Sequence, residues 1–178
     1  TQSPFRDRFE IGHAIGMPYD RIRIISPGLG GAFGGKDGAT VQCFLALAAL
    51  HSEGRPVKML WSREEHMAAG YKRHSCRMKY RLGAKKDGTL HALECSLVYD
   101  TGAYAHLGGE VMELGMEHAG GPYRIPHTLI EGKCVFTNNP VGGAMRAFGV
   151  CQVSFAFESM MDMLAEQLGI DPLELRLK

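Results

Sequence analysis

The chain has 178 residues, 45% of them hydrophobic, and its 20 lysines and arginines nearly balance its 19 acidic residues. This composition predicts one folded domain, or two lobes, and the balanced charge argues against nucleic acid as a partner. No apolar run approaches the roughly 20 residues that cross a bilayer, so we expect no membrane partner either.

The cysteines and the chain ends set two further expectations. Five cysteines with no CxxC pair predict neither a disulfide framework nor a zinc or iron–sulfur site, and they indicate a reducing, cytoplasmic setting. The first residue, Thr1, is not a methionine, and Lys178 lies inside a helix-like stretch without a C-terminal cap. We therefore expect the chain to be an excerpt of a longer protein.

Helices and short extended segments alternate in the first third of the chain. Apolar spacing predicts a helix over residues 5–15, stopped by Gly16. Alternation predicts strands over residues 21–26 and 57–61. A loop with six glycines spans residues 27–38, and a helix buried on more than one face is predicted over residues 39–52. Ser62 and Glu65 form a capping box that opens a short helix.

The remainder of the chain combines a hairpin with helices. Strands over residues 77–82 and 90–99 flank Asp87 and Gly88, a turn pair that predicts antiparallel pairing. A third strand is predicted over residues 129–136, and helices over 109–118 and 150–168, the last with Gly169 as its C-terminal cap. The expected inner face of the last helix comprises Phe155, Met160, Met163, Leu164 and Leu168. This mixture predicts an α+β fold in which a mixed, largely antiparallel sheet packs with helices.

The glycine-rich run Gly30–Lys36 allows two interpretations. Its letters, GGAFGGK, satisfy the first seven positions of a phosphate-binding P-loop. The eighth position is Asp37, which lacks the hydroxyl that holds magnesium, so the P-loop is the weaker alternative. A bulky Phe33 among glycines instead indicates a backbone that approaches a ligand closely beside one aromatic ring.

A second cluster at residues 142–149, GGAMRAFG, repeats the pattern of small residues around one aromatic. Arg146 supplies a fixed positive charge with several donors, which suits an anionic cofactor. Phe148 offers a face for a flat substrate. Either cluster alone is equally compatible with a surface arginine in a glycine loop.

Together, the GGxFGGK and xRxFG motifs resemble the molybdenum-cofactor-binding large subunit of the xanthine dehydrogenase/aldehyde oxidase (molybdenum hydroxylase) family. Further segments look similar in order along the chain, among them Thr101-Gly102-Ala103-Tyr104 and Thr137-Asn138-Asn139-Pro140. The resemblance covers essentially all of residues 1–178. It implies a partial molybdopterin-binding domain that holds the first half of the cofactor-binding region.

The resemblance also implies roles for individual residues. The residues expected at the cofactor, and thereby around the molybdenum, are Gln2, Phe33, Gly34 and Arg146. Asp37, Leu114 and Phe148 match substrate-binding positions. Purine oxidisers carry an arginine where this chain has Leu114, and a neutral side chain there cannot complement an oxyanion. Xanthine is therefore less expected than another N-heterocycle or an aldehyde.

The implied activity is the oxidation of a carbon atom in such a planar small molecule, with water as the oxygen source. The implied cofactor is molybdopterin cytosine dinucleotide, with 2Fe–2S clusters and FAD on other domains or subunits. No catalytic residue is predicted here, since the general-base glutamate of relatives belongs to a later region of the large subunit. We expect the chain alone to be inactive. A non-catalytic relative with the same fold is the second alternative.

Overall fold

The computed structural model describes residues 1–178, and the chain divides into two compact units. Unit 1 comprises Thr1–Arg73 and Gly143–Arg146, and unit 2 comprises His74–Gly142 and Ala147–Lys178. The second glycine cluster therefore contributes residues to both units.

Six helices, one 3₁₀ turn and three strands make up the chain. In order they are α1 (Pro4–Ile15), a 3₁₀ turn (Tyr19–Arg21), α2 (Gln42–Leu50), α3 (Arg63–Ala69), β1 (Cys76–Ala84), β2 (Leu90–Gly102), α4 (Gly108–Glu117), β3 (His127–Phe136), α5 (Val150–Leu168) and α6 (Pro172–Leu177). No helix combines the length and the apolar character that a membrane span requires.

Helix ends in unit 1 follow the predicted signals. Helix α1 ends where Gly16 adopts the left-handed φ of 66°. Helix α3 begins with the predicted capping box, in which the Ser62 side chain accepts a hydrogen bond from the Glu65 amide and the Glu65 carboxylate accepts one from the Ser62 amide. The first and third predicted helices of this unit are therefore confirmed.

Helix α2 departs from its prediction in length and burial. It is shorter than the predicted span of 39–52, and none of its residues is buried. The side chains of Phe44 and Leu47 are 58% and 50% exposed. Because α1 is the only helix or strand that packs against α2, burial on more than one face was a wrong prediction.

Both strands predicted in unit 1 were also wrong. Residues 21–26 and 57–61 form no ladder with another strand. Burial nevertheless alternates along them: Ile22 and Ile24 are half-buried, whereas Arg21 and Arg23 are exposed. The period-2 pattern therefore indicates an extended segment with one side against the protein. A strand also needs a hydrogen-bonded neighbour, and the pattern carries no information about that neighbour.

Unit 2 is built on a three-stranded sheet with the order β1-β2-β3. Strands β1 and β2 form the predicted antiparallel hairpin, in which Cys76 is opposite Tyr99. The turn contains Gly88 at a φ of 88°. Strand β3 runs parallel to β2, with His127 opposite Ala92. The α+β fold with a mixed sheet is confirmed, and its β2–β3 half is parallel.

Helix α5 buries a stripe of residues at a spacing of four, namely Val153, Phe157, Met161 and Ala165. The predicted inner face was wrong for Phe155 and Met163, which are 73% and 62% exposed. Apolar residues occupy several sides of this helix, so the sequence alone did not select the side that meets the sheet. The predicted C-terminal cap at Gly169, with a φ of 65°, is confirmed.

Candidate cofactor site

The glycine-rich run of unit 1 forms a tight turn that displays one aromatic ring. The Gly35 amide donates a hydrogen bond to the Ala32 carbonyl at 2.9 Å. Phe33 adopts a φ of 52° and Gly34 a φ of 93°, while the Phe33 side chain stays 64% exposed. A bulky residue in the left-handed region is unusual, and such strain persists where the surrounding structure enforces it.

The second glycine cluster lies directly against this turn. A Cβ atom on Gly34 would lie 1.6 Å from the carbonyl oxygen of Ala144 and 2.7 Å from the Cα atom of Met145, so a side chain there would force one of the two loops to shift. The Arg146 amide donates a hydrogen bond to the Phe33 carbonyl at 3.0 Å. Residues 33–34 and 144–146 thus form one contact, which we call the loop junction.

The Arg146 side chain belongs to the same arrangement. Its guanidinium carbon lies 5.4 Å from the centroid of the Phe33 ring, within the range of a cation–π contact. The Arg146 carbonyl accepts a hydrogen bond from Nη2 of Arg73 at 2.8 Å, and the Gly143 amide donates to the Lys72 carbonyl at 2.8 Å. The backbone of Arg146 is therefore held by the Phe33 carbonyl on one side and by the Arg73 side chain on the other.

An open groove of about 360 Å³ runs along the loop junction within unit 1. Its lining includes Phe33, Arg63, His66, Lys72, Arg73 and Met145, and it contains no acidic residue. The Lys72 ammonium donates to the carbonyls of His66 and Gly70 at 2.8 and 2.7 Å, and burial lowers the pKa of Lys72. The groove therefore offers a positive surface, which suits an anionic ligand.

Two other predicted residues lie near the ends of the same loop. Gln2 is exposed, and its backbone amide donates to the Lys36 carbonyl at 3.1 Å. The Asp37 side chain is only 12% exposed, and its carboxylate lies 3.7 Å from Nη1 of Arg6 on α1. Arg6 also pairs with Glu10 at 2.8 Å. Asp37 thus faces the polar side of α1, which reduces its availability to a ligand.

The two remaining predicted residues belong to unit 2. Leu114 lies half-buried on α4, and its carbonyl accepts a hydrogen bond from the His118 amide at 3.2 Å. Phe148 is half-buried against the core next to the sheet and adopts a φ of 42°. Both side chains are apolar, so neither brings a charge to its surroundings.

Sequence reasoning missed one buried tyrosine. Tyr99 on β2 is fully buried, and its hydroxyl donates to the Gly149 carbonyl at 3.2 Å. The two residues are 50 positions apart, and an apolar-aromatic position in a strand gives no local signal of such a bond. A glycine at 149 was visible in the motif, but its partner was not.

The whole chain, residues 1–178, matches the family model described as molybdopterin cofactor-binding domain. The chain belongs to this family. The match confirms the resemblance inferred from the two glycine clusters, and it confirms a molybdopterin cofactor as the group that the family binds.

Relatives of the chain include oxidoreductases of the xanthine dehydrogenase and aldehyde oxidoreductase type. A protein of Bacillus subtilis, named as one subunit of a probable xanthine dehydrogenase, is 48% identical over 100% of the chain and 24% of its own length. The nicotinate dehydrogenase large molybdopterin subunit of Eubacterium barkeri is 44% identical over 99% of the chain and 41% of its own length. The chain thus spans about a quarter to two fifths of these relatives.

Solved structures agree with this assignment. The aldehyde oxidoreductase of Desulfovibrio gigas superposes with a TM-score of 0.89 and 37% identity, over 95% of the chain and 18% of that protein. Quinoline 2-oxidoreductase of Pseudomonas putida gives 0.86 and 29% identity, over 99% of the chain and 23% of that protein. These structures share the α+β fold of the family member described above.

The P-loop alternative lacks its structural context. A P-loop needs a strand before the glycines and a helix directly after its lysine. Residues 21–26 form no strand, and α2 begins at Gln42, six residues after Lys36. The run therefore serves as a close-packed loop in this protein, without a helix N-terminus at its end.

Proposed function

We propose that the chain forms one side of the cofactor site in a molybdenum hydroxylase, and that the whole enzyme oxidises a carbon atom of an N-heterocycle or an aldehyde. Water would supply the oxygen atom. The observation that carries the proposal is the loop junction, in which the Phe33 turn, the Gly34 contact and the Arg146 side chain meet. Relatives named for nicotinate, quinoline and aldehyde oxidation support these two substrate classes.

The residues of unit 1 fit a flat, anionic cofactor. Gly34 lets the Phe33 turn pack directly against the backbone of Ala144, which brings the Phe33 ring and the Arg146 side chain together. Arg146 is permanently charged and carries five N–H donors, and its guanidinium lies over the Phe33 ring. Gln2 is tied to the same loop through Lys36. When bound, a molybdenum cofactor would accept two electrons from the substrate carbon and polarise water.

Substrate selection would depend little on charge. Asp37 already pairs with Arg6 at 3.7 Å, so its carboxylate is less available to a substrate. Leu114 cannot stabilise a negative charge on a substrate, and Phe148 offers an aromatic surface for a planar ring. These features favour another N-heterocycle or an aldehyde over xanthine.

The remaining parts of the enzyme complete the proposal. The cofactor would be the cytosine dinucleotide form, and 2Fe–2S clusters and FAD on other domains or subunits would carry electrons away. A glutamate in the remainder of the large subunit would act as general base. It follows that residues 1–178 alone should retain little molybdenum and should not turn over substrate.

The test replaces Arg146 in the full-length enzyme. Arg146→Ala should lower molybdenum content or kcat/KM by roughly 10- to 100-fold, the usual effect of losing hydrogen bonds from a charged donor. Arg21→Ala is the matched control, because Arg21 is exposed and lies outside the loop junction. Metal analysis, release of cytidine monophosphate on acid hydrolysis and assays with quinoline, nicotinate, xanthine and an aldehyde provide the measurements.

Each outcome of these assays has a defined meaning. A wild-type enzyme that carries molybdenum and oxidises a heterocycle or an aldehyde supports the proposal. Rapid oxidation of xanthine would contradict the role assigned to Leu114. A protein that carries molybdenum but oxidises none of these compounds would support the non-catalytic alternative.

A further inference from the structure

Tyr99 links the two segments of unit 2 that carry Leu114 and Phe148. It lies on the central strand β2, it is fully buried, and it is the largest of the fully buried side chains. Its hydroxyl donates to the carbonyl of Gly149, the residue after Phe148, at 3.2 Å. It also contacts Gly115, the residue after Leu114, on α4.

Two glycines make this contact possible. A Cβ atom on Gly115 would lie 2.2 Å from the Tyr99 hydroxyl oxygen and 2.9 Å from Cζ. A Cβ atom on Gly149 would lie 2.2 Å from the carbonyl oxygen of Val111 and 3.1 Å from the Gly115 amide nitrogen. The phenol, helix α4 and the 147–149 turn therefore meet without space for another side chain.

The 147–149 turn needs such support because its backbone is strained. Ala147, Phe148 and Gly149 follow one another at φ angles of 77°, 42° and 97°. Residues other than glycine rarely adopt these angles, and they keep them only where neighbouring contacts enforce them. The contacts here are the Val150 amide on the Ala147 carbonyl at 2.8 Å, the packing of Phe148 on the core and the Tyr99 hydroxyl.

We infer that Tyr99 is a positioning residue for substrate recognition, which holds the Phe148 ring through the Gly149 carbonyl and holds α4, with Leu114, through Gly115. The inference rests on the proposed function, because Phe148 and Leu114 matter only where a planar substrate binds. Burial raises the pKa of Tyr99 well above its usual value, so the hydroxyl remains a donor throughout the physiological range.

The experiment compares two tyrosine variants in the full-length enzyme. Tyr99→Phe removes the hydroxyl and leaves the ring. Tyr80→Phe is the matched control, because Tyr80 lies on the neighbouring strand β1 and its hydroxyl donates to the Ala119 carbonyl at 3.3 Å, away from the turn. Both variants lose one similar hydrogen bond, so a purely structural role predicts the same result for both.

The first readout does not depend on activity. Hydrogen–deuterium exchange of the peptide that contains residues 145–152 should become about three- to tenfold faster in Tyr99→Phe, the change expected when one buried hydrogen bond is lost. The same peptide should keep its wild-type rate in Tyr80→Phe. Equal rates in the two variants, or an unchanged rate in Tyr99→Phe, would overturn the inference.

The second readout is the split between KM and kcat. With quinoline as the planar probe, Tyr99→Phe should raise KM about three- to tenfold, with a smaller effect on kcat and a smaller rise in KM for acetaldehyde. In Tyr80→Phe, the KM for quinoline should not rise more than the KM for acetaldehyde. An equal rise for both compounds would argue against a positioning role. If the wild-type enzyme oxidises neither compound, the proposed function fails, and hydrogen exchange still decides whether Tyr99 fixes the turn.

Discussion

The two units differ in how their side chains are held. Of the thirteen buried hydrophobic residues, two, Ile11 and Ala144, belong to unit 1, and the other eleven belong to unit 2. Unit 2 therefore resembles an ordinary domain with a sheet and a core. Unit 1 displays large apolar side chains such as Phe44 and Leu60, which are 58% and 83% exposed.

Polar contacts replace the core in unit 1. The buried Asp7 carboxylate accepts a hydrogen bond from Nε2 of Gln42 at 2.9 Å, and the Glu10 carboxylate accepts one from the Ala39 amide at 2.7 Å. Both bonds connect α1 to the segment between the glycine loop and α2. Backbone and carboxylate contacts thus locate the loop proposed to hold the cofactor, whereas apolar packing locates the 147–149 turn of unit 2.

The largest effect should come from the core of unit 2. Phe157 is fully buried, and its ring stacks on Tyr123 at 5.3 Å. Phe157→Ala should lower the free energy of unfolding by about 3–5 kcal/mol, whereas Phe44→Ala should change it by less than about 1 kcal/mol. Urea denaturation followed by circular dichroism measures both. Similar losses for the two variants would contradict the distinction between the units.

Substitution of Gly34 should lower the free energy of unfolding less than Phe157→Ala does, but it should also lower the molybdenum content. Gly34→Ala should cost about 1–3 kcal/mol because it combines a left-handed φ with a clash against the Ala144 carbonyl. Gly28→Ala is the control, since a Cβ atom there meets no atom within 4 Å. Molybdenum content of the full-length enzyme should fall in the first variant alone. Full metal loading of Gly34→Ala would refute the role of the loop junction.

The smallest expected effect concerns pH and His74. This side chain is 3% exposed, and burial, followed by the charge of His106, lowers its pKa below the ordinary 6.5, although Asp100 acts in the opposite direction. The unfolded chain therefore binds a proton more readily than the folded chain. The stabilisation is complete above pH 6.5 and decreases as the pH falls towards the folded pKa.

Replacement of His74 should remove this pH dependence. One titrating group changes stability by at most about 1.4 kcal/mol per pH unit, so His74→Gln should flatten the curve between pH 7 and pH 5 by no more than that slope. Thermal unfolding at several pH values is the measurement, with the exposed His51→Gln as control. A curve that keeps its wild-type slope in His74→Gln would assign the acid sensitivity to another group.

Elements with local signals were predictable from the sequence. The Asp87-Gly88 turn, the Ser62 capping box and the Gly169 cap each depend on residues within a few positions of one another, and all three occur as predicted. Features that depend on a distant partner were not predictable. Polar and apolar residues alternate over residues 21–26 as they do in a strand, but the segment has no neighbouring strand to pair with.

The candidate site shows the same division. The two glycine motifs predicted a backbone that approaches a ligand closely, which stays a prediction; the contact of Gly34 with Ala144 gives these glycines a packing role that the sequence did not indicate. The pairing of Asp37 with Arg6 and of Tyr99 with Gly149 joins residues 31 and 50 positions apart, and neither is encoded by spacing. The ligand roles of Gln2 and Arg146 remain predictions that metal loading can test.

The parallel pairing of β2 and β3 bears on how substrate preference can change over time. Parallel neighbours cannot be joined by a tight turn, so the chain must cross over between them, and α4 lies in that crossover. The fold needs the buried side of this helix, which Val111 and Gly115 provide. Leu114 lies beside them and is less constrained. Under the proposed substrate role of Leu114, a substitution at this position would change selectivity and leave the architecture of the crossover unchanged.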